Sequence, residues 1–116
     1  MISFQSVEDD GRLTIYCCDL FKMNLSFLSD PIDRVFDRGS FVAIERKDRK
    51  RYATLMLSLL SSKFRYLLAA VEYDPVKFAG PPRNVNKDEV TEYFVESGIG
   101  IIWKSSSFLP EIDFEW

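Results

Sequence analysis

Hydrophobic and polar positions change period several times along the chain. From Arg12 to Cys18, Leu13, Ile15 and Cys17 alternate with Thr14, Tyr16 and Cys18, a period of two that predicts a strand. Met1 to Asp10 ahead of it is polar and aperiodic, and reads as a loose lead-in. Ile32, Val35 and Phe36 predict a strand over 32–36, ending at Asp37-Arg38-Gly39 where glycine permits a tight turn. Tyr52, Leu55, Met56, Leu59 and Leu60 recur at spacings of three and four, which puts one apolar stripe on a helix over 49–61 with Asp48 as its cap. The run YLLAAV, Tyr66 to Val71, has no alternation and predicts a strand over 66–73 covered on both faces, in the middle of a parallel sheet. Strand, helix and strand in this order make a parallel α/β unit.

The segment after that strand is punctuated by proline and glycine. Pro75 drives Asp74 out of the helical region and Gly80-Pro81-Pro82 stiffens the far side, which leaves Val76 to Gly80 as a lid over the strand ends. Asn86 and Glu89 have capping-box spacing ahead of a helix over 87–96 striped by Val90, Tyr93 and Phe94, and Ser97-Gly98 stops it. Ile99 to Trp103 predicts a strand over 99–104. Ile112, Phe114 and Trp116 alternate with Glu111, Asp113 and Glu115, the pattern of a short edge strand with one charged face.

Composition narrows the function. A chain of 116 residues, 47% hydrophobic and 28% charged, suits one small domain, 1–116. A net charge of −3 provides no basic field, so neither nucleic acid nor a membrane surface is an expected partner. The mixed-sign cluster ERKDRKRY, Glu45 to Tyr52, reads as a solvated face. No apolar run approaches the ~18 residues of a membrane span and the amino terminus lacks a leader pattern, so a cytoplasmic location is expected. Cys17 and Cys18 are neighbours, and a bridge between them would need strained geometry. They read as buried free thiols or as a redox or metal pair. Histidine is absent, which removes His-metal sites and His bases and leaves carboxylates, tyrosine and lysine for proton transfer; with buried thiols the favoured reading of the cysteines, no metal site is expected.

In open α/β sheets ligands collect beyond the carboxyl ends of the strands. Asp37 and Arg38 stand there after one strand, and Glu72, Tyr73 and Asp74 after the next. Asp19-Leu20-Phe21 follows the first strand, where a carboxylate can accept from the amine of an adenine while Leu20 lies along the ring; an ordinary strand-to-loop aspartate is the other reading. Arg38 either grips an anion with its planar fork or pairs with a neighbour at the turn.

The segments FDRGSFVAI, DRKRYATLMLSLL and KFRYLLAAVEYDPVKFAGPP, in that order, resemble the second half of the thiopurine S-methyltransferase family, class I methyltransferases that use S-adenosylmethionine. LTIYCCDLF is similar to that family's strand before the adenine contact, so the resemblance runs from about Gly11 to Phe94. It implies a Rossmann-like α/β fold, truncated, with the first two strands and the glycine loop missing. It implies S-adenosylmethionine as cofactor, with Asp19, Leu20 and Arg38 as cofactor-binding residues, and an aromatic thiol as substrate, with Arg38, Tyr73 and Phe78 around it. Phe78 reads equally as a packing anchor. Methyl transfer to an aromatic thiol needs positioning more than a base, so the absence of histidine is compatible with it. A sheet lacking two strands implies a marginal domain that self-associates through its uncovered sheet. Two function classes follow: a methyltransferase fragment inactive alone, or a non-catalytic α/β interaction module derived from that family.

Overall fold

The computed structural model describes residues 2–5 and 12–95. These form β1 (Ile2–Gln5), β2 (Thr14–Cys17), β3 (Ile32–Arg38), α1 (Arg49–Ser58), β4 (Leu60–Ala69) and α2 (Lys87–Val95). β3 and β4 pair in parallel, joined by a crossover through α1, the α/β unit that the periods predict. The strand expected at 99–104 and the edge strand at 111–116 lie outside the described residues.

Several expectations need correction. The lead-in is not loose throughout, since Ile2–Gln5 is a strand. It pairs antiparallel with β2, so the first predicted strand belongs to a separate two-stranded sheet and not to the parallel one. α1 stops at Ser58 instead of 61, where the Leu59 N–H closes on Met56 O at 3.1 Å. The Leu59 carbonyl then accepts from Ile32 N at 2.8 Å, which starts the parallel ladder six residues before the predicted strand. Among the described residues, Tyr66 to Val71 is not covered on both faces. Tyr66 and Leu68 pack on the core, whereas Leu67 is 63% exposed beside Phe36 at 67%. Cys17 and Cys18 are free and exposed, not buried.

The core lies between the inner face of β3–β4 and the two helices, with Phe41, Val42, Tyr52, Ala53, Val85, Val90 and Phe94 at its centre. Edge-on ring contacts join Phe41 to Tyr52 at 5.7 Å and Tyr66 to Phe94 at 5.4 Å, a geometry aromatic quadrupoles favour. α1 turns Arg49, Tyr52 and Ala53 inward, spaced three and four apart, and leaves Leu55, Met56 and Leu57 half-buried. Arg49 departs from the solvated face expected of its cluster. It is 1% exposed and pairs with buried Glu89 through Nη1 at 2.9 and 3.0 Å, bonding also to Asn84 O and Ile44 O. Asn86 caps α2 as predicted, its Oδ1 accepting the Glu89 N–H at 2.8 Å. The Glu89 carboxylate does not return to Asn86; it is drawn to Arg49. Asp48 precedes α1 without a capping bond from its side chain. Among the described residues no helix is long and apolar enough to cross a membrane.

Candidate functional site

Arg38 and Ala69 end the two parallel strands and are register partners, so both chains leave the sheet at one place. A cavity of about 480 Å³ opens there. Gly39, Val42, Ala43, Ala69, Ala70, Val71, Pro81 and Pro82 wall it, and among the described residues Arg38 is the charged one in its lining. Small apolar walls with one guanidinium suit a flat apolar molecule carrying one anionic group.

Asp37 builds the near wall. The sequence placed Asp37 in the turn after a strand over 32–36; β3 instead runs on to Arg38, and Asp37 is its last inward position, 3% exposed. Its Oδ1 accepts from Phe41 N at 3.0 Å, and its Oδ2 accepts from the hydroxyls of Tyr52 at 2.6 Å and Tyr66 at 2.7 Å. Gly39, at φ +89°, lets the chain reverse so that Phe41–Ala43 comes back over the strand end. One carboxylate therefore ties strand, helix and cavity wall together. Burial first, and then the neighbouring Asp37 carboxylate, pushes the Tyr52 hydroxyl up to about 12 and raises Tyr66 further in the same direction. With a folded pKa above the unfolded value near 10, the Tyr52 phenol stabilises the fold fully below about pH 10 and loses that contribution as pH rises through 12, while Tyr66, raised further, keeps its own contribution to higher pH. Loss of helix, followed by circular dichroism, should thus set in as the pH rises from about 10 through 12. Tyr52→Phe should weaken this pH dependence and cost about 1–3 kcal/mol at neutral pH.

The far wall is the segment from Tyr73 to Asn84. Its neck is closed by the Tyr73 N–H on Asn84 Oδ1 at 2.7 Å, the Tyr73 hydroxyl on Pro82 O at 2.6 Å and Val85 N on Val71 O at 2.9 Å. Arg83 then fastens this wall to the near one, donating N–H to Val42 O at 2.8 Å and its guanidinium to Ala43 O. Pro81 and Pro82 are held across the cavity from Arg38's strand.

The predicted site residues are only partly brought together. Arg38 is at the cavity, exposed, and among the described residues forms no ion pair. Asp19 instead caps the single turn Leu20–Lys22, its Oδ1 accepting the Phe21 N–H at 3.0 Å, and Leu20 packs against the core. Neither lines the cavity. Tyr73 and Phe78 meet in a tilted ring contact at 5.9 Å behind the proline wall, and they also lie outside the cavity lining. Val76, in the expected lid, is 92% exposed in a turn closed by Lys77 N on Asp74 O. Sequence reasoning missed Val42, Ala43 and the two prolines as walls and Arg83 as the tie. The stiffness of Gly80-Pro81-Pro82 was the available signal, since a rigid segment beside strand ends makes a wall.

A model of the family described as Thiopurine S-methyltransferase (TPMT) matches residues 1–114. The thiopurine S-methyltransferase of Bos taurus is 46% identical over 87 residues, 75% of this chain and 35% of that protein. That of Oryctolagus cuniculus is 46% identical over 84 residues, covering 72% and 34% of the two chains. A probable thiopurine S-methyltransferase of Danio rerio is 44% identical over 85 residues, covering 73% and 36%. The chain thus spans about a third of the length of these curated relatives. With a match over nearly all of its residues and a cavity at the ends of a parallel strand pair, the chain belongs to the thiopurine S-methyltransferase family.

Proposed function

We propose that this chain supplies the acceptor side of an S-adenosylmethionine-dependent methyltransferase that acts on the sulfur of aromatic or heterocyclic thiols, residues 1–116 being part of one such domain. The observation that carries this reading is the apolar cavity at the strand ends with Arg38 in its lining. S-Adenosylmethionine, when bound, supplies the methyl group. What the chain must do is hold a thiolate in line and keep water away, and positioning of this kind lowers barriers by up to about 7–11 kcal/mol. An aromatic thiol ionises without a dedicated base, and Arg38, always protonated, holds the resulting anion or a carboxylate on the same ring. The alanine and proline walls exclude water on either side of the ring. Tyr73 fixes Pro82 through its hydroxyl, and Phe78 backs Tyr73, so both act on the substrate pocket from behind.

The cofactor is fitted less well by the residues in place. Asp19 and Leu20 are the proposed adenine contacts, yet Asp19 spends one oxygen on its own turn and Leu20 faces the core. Among the described residues no carboxylate lines the cavity to take ribose hydroxyls or an amino group. The chain alone should therefore bind S-adenosylmethionine no better than about 1 mM, roughly −4 kcal/mol, and transfer no methyl group. The test is a hybrid in which this chain replaces the matching segment of the Bos taurus relative. Methyl transfer to an aromatic thiol supports the proposal. A folded hybrid that binds cofactor but transfers nothing supports the second reading, a non-catalytic interaction module, which the bare Phe36 and Leu67 face favours.

A further inference from the structure

The proline wall of the cavity is held from two directions. The Tyr73 hydroxyl on Pro82 O at 2.6 Å and Val85 N on Val71 O at 2.9 Å fasten it to the chain that leaves β4. Arg83, the next residue after Pro82, fastens it across the cavity, through its N–H to Val42 O at 2.8 Å and its guanidinium to Ala43 O. These are the carbonyls of two successive residues of the near wall. Gly80 packs directly on Arg83: a Cβ at position 80 would lie 2.8 Å from Arg83 Cγ and 2.9 Å from its Cα and N, inside contact distance. The chain therefore closes on itself between Gly80 and Arg83, with Pro81 and Pro82 at the bend. Proline rings fix φ, so this wall does not yield by turning its backbone. It shifts only as a block, and the two Arg83 bonds oppose that shift.

We propose that Arg83 is a positioning residue that sets the separation of the two walls, and so restricts the cavity to acceptors about as thin as an aromatic ring. The inference rests on the reading of this cavity as an aromatic-thiol site and assigns the residue that determines its shape selectivity. Arg83 is not in the cavity lining, so it acts through Val42, Ala43 and Pro82 and not by touching the acceptor. Its charge strengthens the bond to Ala43 O. With the walls tied, a group standing out of the ring plane has to push them apart against that bond. Overfilling a fixed pocket is costly: one methylene more or less in an apolar site changes binding by about tenfold or more. With the tie cut, the proline block can move outward and the same group is accommodated.

The test compares two acceptors of equal charge, a mercaptobenzoate and the same acid carrying a tert-butyl group, whose methyl groups stand above and below the ring plane. Dissociation constants are read from the Val42 and Ala43 methyl signals of the full chain, with Ala53 and Val90 as reporters of an intact core. The unsubstituted chain should bind the flat acid about tenfold or more tighter than the substituted one. In Arg83→Met, which keeps the stem and loses the donors, that preference should fall to within about twofold. Gly80→Ala, which crowds Arg83 from the other end of the bend, should lower it as well. Arg83→Lys keeps one charged donor and should retain most of it. Because both acids carry the same charge, a simple loss of positive charge cancels in the ratio. An unchanged preference in Arg83→Met, or Arg83→Lys as permissive as Arg83→Met, would overturn the inference while leaving the acceptor site standing. Collapse of the Ala53 and Val90 signals in Arg83→Met would overturn it too, by making Arg83 a residue of the fold at large. Failure of the flat acid to bind the unsubstituted chain would instead overturn the acceptor site itself, and this inference with it.

Discussion

Glu89→Ala is expected to cost about 3–5 kcal/mol of folding free energy, the loss typical when one partner of a buried ion pair is removed. The reason is the Arg49 left behind. It is 1% exposed, its Nη2 already has no partner among the described residues, and of these its Nη1 would keep only the carbonyl of Asn84. The Phe41 ring, 5.1 Å from the guanidinium carbon, offsets part of the charge but supplies no acceptor oxygen. Small domains have about 5–15 kcal/mol in total, so the variant should lose a large share of its stability. Arg46 also approaches Glu89, at 3.6 Å, but its side chain is 61% exposed, and Arg46→Ala should cost no more than about 1 kcal/mol. Urea unfolding of the two variants separates the cases. The double replacement Arg49→Met with Glu89→Leu should recover most of the loss, because matched apolar groups leave no charge buried.

Arg38→Ala in the hybrid enzyme should raise KM for an anionic aromatic thiol about ten- to a hundredfold, the range for losing a hydrogen bond to a charged group. Arg38→Lys should recover only part of this, since a point charge does not reproduce the two parallel donors of a guanidinium. Folding should be unaffected, because Arg38 is exposed and forms no ion pair among the described residues. Steady-state kinetics with an anionic and a neutral acceptor provides the check. An equal loss for both acceptors would mean that Arg38 acts on the cofactor or the fold and not on the acceptor's charge.

The order of elements was legible because periodicity is local. Alternation at Leu13 to Cys17, the stripe around Tyr52 and the Asn86 cap each depend on residues a turn apart, and each marks the element found there. Pairing and burial depend on distant partners, and they were misread. Arg49 sits in a run of charges and is indistinguishable from its solvated neighbours until Glu89, forty residues on, is brought against it. Tyr66 looks like one more apolar residue of a buried strand, although its hydroxyl helps tie Asp37 in place. YLLAAV suggested two covered faces because apolar residues fill both, yet among the described residues the face at Leu67 is bare. Within the site, Arg38 was legible from its place after a strand and from the Asp-Arg-Gly motif. The proline wall and the Arg83 tie were not, because a wall exists only when a loop returns to the strand ends.

The central claim is that the cavity between Arg38 and Pro81-Pro82 takes a flat aromatic thiolate. Methyl-resolved NMR titration of the chain with a mercaptobenzoate tests it most directly, with Ala43, Ala69, Ala70, Val42 and Val71 as reporters in the wall. The account predicts saturable shifts concentrated on those methyl groups, strongest where the thiol is ionised and lost in Arg38→Ala. Shifts centred elsewhere, or shifts of the same size in Arg38→Ala, would contradict it.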